Sequence, residues 1–144
     1  MMSRIRGKNS RPELALRRQL FAAGYRFRLH RRDLPGSPDI VLPKHGAVIF
    51  VHGCFWHRHG GCAKSTTPTS NAAFWATKFA ANVERDAAAI RRLEALGWRV
   101  AIVWECAIRA TGLEAVPFTE LQAWIAQAAE STGAGARLNL LELP

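Results

Sequence analysis

Apolar positions along the chain follow two periods, and the switches between them outline the elements. From Ser10 to about Ala23 the spacing is helical, with Leu16 and Leu20 on one face. Ser10-Arg11-Pro12-Glu13 forms a capping box with proline in the first turn, and Gly24 ends the helix. Tyr25 to His30 alternate as a short strand, and DLPGSP is a turn. Asp39-Ile-Val-Leu, Pro-Lys-His-Gly and Ala47 to Val51 then read as a β-hairpin. After a polar loop over 63–71, ending in residues that suit a helix N-cap, a long helix covers about Ala72 to Leu96, stopped by Gly97. WRVAIVWE, 98–105, is a buried strand. Pro117 to Ala129 is an amphipathic helix, and Arg137 to Leu143 an edge strand.

Two apolar strands, VIFV and VAIVW, flank the long helix as a βαβ unit, so they should be parallel, whereas the hairpin is antiparallel. The pattern predicts one α/β domain over residues 1–144 with a central mixed β-sheet flanked by helices. Residues 1–9 are basic and form a flexible arm. Cys54 and Cys106 follow the two parallel strands, at the carboxyl ends where α/β folds carry their sites.

Length and composition narrow the class. A chain of 144 residues with 49% hydrophobic content can bury a real core. No run approaches the ~18 apolar residues of a membrane span, which argues against a membrane protein. The first residues, MMSRIRGKNSRPE, lack a signal-peptide core, so a cytoplasmic protein is expected. A net charge of +9 and a pI near 10.7 favour a polyanionic partner, nucleic acid foremost. Half of the lysines and arginines lie between residues 4 and 32, and a second cluster surrounds Arg85, Arg91 and Arg92.

The segment HGCFWHRHGGC, 52–62, holds three of the five histidines and two of the three cysteines. Cys54, His59, Cys62 and Cys106 make a Cys3His set that suits tetrahedral, structural Zn²⁺; the alternative is three buried free thiols. Gly60 and Gly61 would let the loop turn back. His52 and His57 then remain for other work. On the long helix, Phe79, Val83, Ile90 and Leu93 form an inward stripe into which Asp86 falls. A core-facing carboxylate is either paired with an arginine or orients a histidine. Asp39 is either a turn residue or a ligand for a hard cation such as Mg²⁺. Glu13 shares a face with Leu16 and Leu20, and the capping box accounts for it. Among the aromatics, Phe74 is assigned to the core. Phe55 and Trp56 lie between the metal-ligand candidates, where they can stack on bases or wedge between them.

PGSPDIVL, VIFVHGCFWHRHGGC, FWATKFAANVERD and LGWRVAIVWEC, taken in order, resemble the very short patch repair (Vsr) mismatch endonucleases over roughly residues 3–110. The resemblance implies a restriction-endonuclease-like fold. It implies a Mg²⁺-dependent enzyme that nicks double-stranded DNA 5′ to the thymine of a T:G mismatch left by 5-methylcytosine deamination; a nickase of so asymmetric a lesion needs no dimer, so a monomer is expected. It also admits mismatch-repair proteins as partners. By the same resemblance, Asp39 and the Val51 carbonyl would hold Mg²⁺, and His57 would be the general base, oriented by Asp86. His52 would lie beside the scissile phosphate, and Glu13 would assist from the first helix. Zn²⁺ would sit on Cys54, His59, Cys62 and Cys106, while Phe55, Trp56 and Trp75 would intercalate beside the mismatch. Beside an arm before Ser3 that is short for the family, two features depart from its pattern. Valine stands at 51, where relatives often carry threonine, and the zinc loop is one residue longer at Gly60-Gly61. Two other functions compete: a zinc-stabilised DNA-binding module without catalysis, and a nuclease of the same fold without mismatch selectivity.

Overall fold

The computed structural model describes residues 10–63, 66–127 and 140–143. The basic arm therefore lies outside the described residues. Helix α1 spans Arg11–Ala22; the Ser10 hydroxyl accepts from the Glu13 N–H at 3.3 Å. Gly24, at φ +99, turns the chain away from it in a conformation that favours glycine. Strand β1 is only Arg28–Leu29, shorter than the alternation suggests, since both of its residues face solvent. Strands β2 (Ile40–Leu42) and β3 (Ala47–His52) form the expected antiparallel hairpin around a 3-10 turn at Pro43–His45.

Helix α2 spans Ala72–Ala95, and β4 spans Arg99–Trp104. Strands β3 and β4 pair in parallel over all six residues, Ala47 opposite Arg99 through His52 opposite Trp104. A small hairpin follows, β5 (Ile108–Arg109) and β6 (Gly112–Leu113), which periodicity did not indicate. Helix α3 runs Ala115–Ala126, two residues earlier than expected. Pro117 falls inside its first turn, where the missing N–H costs nothing. The end proposed for this helix at Ala129, and residues 137–139 of the tail strand, lie outside the described residues. Strand β7 (Leu140–Leu143) adds to β4 in parallel, at the edge of a sheet ordered β1-β2-β3-β4-β7. This is the mixed α/β sheet that the pattern predicts.

The unbroken apolar runs of β3 and β4 arise because both faces of the sheet are covered. Ala47, Ile49, Ala101 and Val103 pack with Leu16 and Leu20 of α1 and with Leu121, Trp124 and Ile125 of α3. Val48, Phe50, Val100, Ile102 and Trp104 point the other way, with Leu93 of α2 and Cys54. Each fully buried leucine or isoleucine contributes about 2–3 kcal/mol relative to exposure. Two polar devices lock this frame. Arg99 is buried, donates to the carbonyls of Trp124 (2.7 Å), Ile125 (3.0 Å) and His45 (3.4 Å), and stacks over the Trp124 ring. It thereby satisfies the last turn of α3 and ties it to the hairpin. At Gly36 (φ +75) a side chain would meet the Ala89 Cβ at 2.8 Å and the Phe50 ring at 3.2 Å. This glycine lets the PGSPD turn press against Ala89 of α2 and Phe50 of β3. Among the described residues, no helix is long and apolar enough to cross a membrane.

Candidate active site and metal centre

The carboxyl end of β3 divides two clusters of titratable side chains. The first is Glu13, His30 and Asp39, one ligand atom of each lying within 4.8 Å of the others. Asp39 immediately precedes β2, and its Oδ2 accepts the Val51 N–H at 2.8 Å. Burial pushes its carboxyl up to about 7; the nearby Glu13 adds to the rise, while the Val51 N–H and Arg17 oppose it. Glu13 is 1% exposed. Its Oε2 accepts from His30 Nε2 at 2.6 Å and lies 3.6 Å from Arg17 Nη1. Its carboxylate is thus engaged by His30 and Arg17, so the capping box does not by itself account for Glu13.

The second cluster is His52, His57 and Asp86. His57 is carried on a tight turn after β3, its N–H bonded to the Gly53 carbonyl at 3.1 Å. Its Nδ1 meets Asp86 Oδ2 at 2.6 Å. Of the two accounts open for Asp86, the structure therefore has the histidine pair. That contact places the proton on Nδ1 and leaves Nε2 as the basic atom. The His52 ring stacks on His57, centroids 3.9 Å apart and the planes nearly parallel, and meets Trp104 edge-on. Burial holds His52 down to about 3; the His57 ring lowers it further and Asp86 opposes. It is a neutral imidazole at physiological pH. Its buried Nδ1 has no hydrogen-bond partner among the described residues, an uncommon state that invites a ligand atom or a water. His30 and Asp39 of the first cluster and all three residues of the second line one cavity of about 430 Å³, with Arg32 and Arg85; Glu13 lies buried behind them.

A third cluster, Cys54, His59, Cys62 and Cys106, closes the far side of the same turn. The His59 N–H bonds to the Cys54 carbonyl, and Gly61 at φ +72 brings Cys62 back. Cys106 arrives from a 3-10 turn after β4. His59 Nδ1 lies 3.6 Å from the Cys54 sulfur and 3.4 Å from that of Cys106. In a tetrahedral site with Zn–S ≈ 2.3 Å and Zn–N ≈ 2.0–2.1 Å, the S···N edge is about 3.6 Å. The donor set therefore fits a metal ion of that size. The His59 ring stacks on Trp104 at 4.3 Å, and Glu105 Oε1 accepts the Cys54 N–H at 3.0 Å, so the ligands are oriented from outside. Burial pushes the Cys54 thiol up to about 12 and raises that of Cys106 as well. A dication reverses this tendency by stabilising thiolates.

Phe55, Trp56 and Trp75 meet as one half-buried aromatic cluster: Phe55 to Trp56 at 5.0 Å, and Trp75 to each of them at 6.0 Å. Phe79 supports them from below. Arg58, at φ +57, lays its guanidinium 4.0 Å over the Phe79 ring and donates to the Thr66 carbonyl at 2.7 Å. Two expectations are corrected. Phe74 is 60% exposed, not core, because it falls on the outer face of the first turn of α2. Val83 is 46% exposed; the buried side chains of α2 are Phe79, Ala89 and Leu93. Asn71 occupies the N-cap of α2, but in a left-handed conformation with no side-chain capping bond. Sequence reasoning passed over His30, Arg58 and Arg99. The one available signal for His30 was a histidine ending the strand that precedes Asp39.

The family model described as DNA mismatch endonuclease Vsr matches residues 1–64. The type II nicking enzyme V.XorIIP of Xanthomonas oryzae pv. oryzae is 53% identical over 112 residues, 78% of this chain and 82% of its own. The type II nicking enzyme V.NmeAIP of Neisseria meningitidis is 42% identical over 109 residues, 76% of this chain and 77% of its own. The DNA mismatch endonuclease Vsr of Escherichia coli is 45% identical over 108 residues, 75% of this chain and 69% of its own.

Proposed function

The chain belongs to the DNA mismatch endonuclease Vsr family, whose fold is restriction-endonuclease-like, and from that premise we propose that it nicks one strand of duplex DNA 5′ to the thymine of a T:G mismatch, such as 5-methylcytosine deamination leaves, by Mg²⁺-dependent hydrolysis of a phosphodiester. The observation that carries the chemistry is the 2.6 Å contact of His57 with Asp86, set on the same cavity as Asp39.

Asp39 and the Val51 carbonyl are the residues proposed to hold Mg²⁺, which when bound would neutralise charge on the scissile phosphate. A buried Asp39 beside a second carboxylate fits that assignment, since two such groups are stabilised by a shared cation. His57 accepts the proton of the attacking water at Nε2. Asp86 holds the ring in position through Nδ1 and stabilises the charge that develops on it. His52, neutral and buried, is suited to offering a hydrogen bond to a phosphate oxygen without taking the water's proton. Arg32 and Arg85 at the rim suit the incoming backbone. Cys54, His59, Cys62 and Cys106 are proposed to hold a structural Zn²⁺, since four protein ligands leave no open position for catalysis. Phe55, Trp56 and Trp75 are the proposed wedge; a T:G wobble is cheaper to unstack than a matched pair.

The test is strand-specific cleavage of a labelled T:G duplex against its C:G parent, with and without Mg²⁺. The expected result is a single Mg²⁺-dependent nick beside the thymine. Binding with no cut in either duplex would leave a DNA-binding module. Equal cutting of both would leave a nuclease without mismatch selectivity.

A further inference from the structure

Beside Asp39 stands a histidine with no part in the chemistry above. His30 follows β1, and its backbone lies at φ +47, a region that residues with a Cβ seldom occupy. Such an outlier persists only where surrounding contacts enforce it. Here the His30 N–H bonds to the Asp39 carbonyl at 3.2 Å, one step beyond the β1–β2 pairing. The turn sends the imidazole inward: the ring is 18% exposed, its Nε2 lies 2.6 Å from Glu13 Oε2 and 3.9 Å from Asp39 Oδ1.

Glu13 comes from α1 and Asp39 from the residue just before β2, so no shared backbone sets their separation. A glutamate has three side-chain torsions, and a like-charged neighbour drives it away. A donor fixed to the Asp39 backbone opposes both tendencies. Imidazole suits the task because it donates along one direction without needing a full charge of its own. Ligand atoms within 4.8 Å are close enough for both carboxylates to face one cation, or a cation and a water bound to it.

We propose that His30 is a positioning residue of the cation site: its Nε2–H holds the Glu13 carboxylate in the orientation from which Glu13 and Asp39 together face one divalent cation. This rests on the assignment of Asp39 as a cation ligand. Loss of an outer hydrogen bond of this kind typically costs about 10–100-fold in metal affinity or activity.

The experiment is Mn²⁺ titration of the zinc-loaded full chain, read by electron paramagnetic resonance, for the parent, His30→Gln, His30→Asn and Asp39→Ala. The glutamine amide reaches Glu13 and the asparagine amide does not. The expected result is Mn²⁺ affinity within about threefold of the parent for His30→Gln and at least about tenfold weaker for His30→Asn. Nicking by His30→Asn should then recover at high Mg²⁺, the apparent KM for the cation rising while kcat holds. If the two amide variants bind Mn²⁺ equally, whether like the parent or equally weakly, His30 is packing only and the proposal is overturned. Asp39→Ala separates the two levels. Lost Mn²⁺ binding there leaves the Asp39 assignment standing whatever His30 does; parent-like binding removes the assignment and the proposal with it. In the parent itself, the His30 ring resonances should shift on addition of Mg²⁺. Unshifted resonances overturn the proposal even if His30→Asn does not fold.

Discussion

Replacing Asp39 with asparagine should make the metal-free site more stable at alkaline pH while stopping the nicking reaction. The carboxyl is raised from 3.8 to about 7, chiefly by burial. A group whose folded value exceeds its unfolded value binds protons more tightly in the native state. Its stabilising contribution is complete below pH 3.8 and is lost as pH rises through about 7. Above that, the parent carries the cost of an ionised carboxylate, roughly 4 kcal/mol if the whole displacement is realised and about 2 kcal/mol if the site relaxes. Asparagine keeps an oxygen to accept the Val51 N–H, now 2.8 Å from Asp39 Oδ2, and brings no charge. The variant should therefore match the parent near pH 4 and exceed it by ~2–4 kcal/mol at pH 8. Urea unfolding of zinc-loaded protein without Mg²⁺, at pH steps between 4 and 8, measures the difference. Millimolar Mg²⁺ should then narrow it, because only the parent gains binding free energy. A variant less stable than the parent at pH 8, or a difference that does not change with pH, would refute this account of the site.

Other consequences are more direct. Asp86→Asn leaves the shape of the site but removes the charge that supports His57, so kcat for nicking should fall about 10²–10⁴-fold with little change in KM for DNA; a loss under threefold would separate Asp86 from the reaction. Cys106→Ser should lose bound zinc, measured by metal analysis, and melt well below the parent; an unchanged melting temperature at full zinc occupancy would exclude it as a ligand. Trp56→Ala should lower T:G over C:G discrimination by about 5–150-fold, the worth of roughly 1–3 kcal/mol of stacking, and competition between the two duplexes reads it. An unchanged ratio would remove Trp56 from the wedge.

The sequence by itself determined the elements that local chemistry dictates. The Ser10 cap with Glu13 three residues on, Gly24 and Gly97 as stops, and the unbroken runs of β3 and β4 each have one favourable local solution. From those runs follows the parallel pairing that brings Cys54 and Cys106 to the same end of the sheet. The Cys3His cluster was legible because few arrangements use soft ligands on one short turn. What only the tertiary structure decided were contacts between elements far apart in sequence. Asp86 on its helix could have met an arginine or a histidine with equal local logic; the angle of α2 against the turn at 53–59 selected His57. Phe74 and Val83 obey helical spacing, but α2 touches the sheet mainly through its second half, so spacing alone placed them wrongly. Arg99 carries no local signature, and His30 only its place at the end of the strand before Asp39. Their roles arise from which carboxylate or carbonyl the folded sheet leaves within about 3 Å of a donor, a distance set by packing across the whole domain.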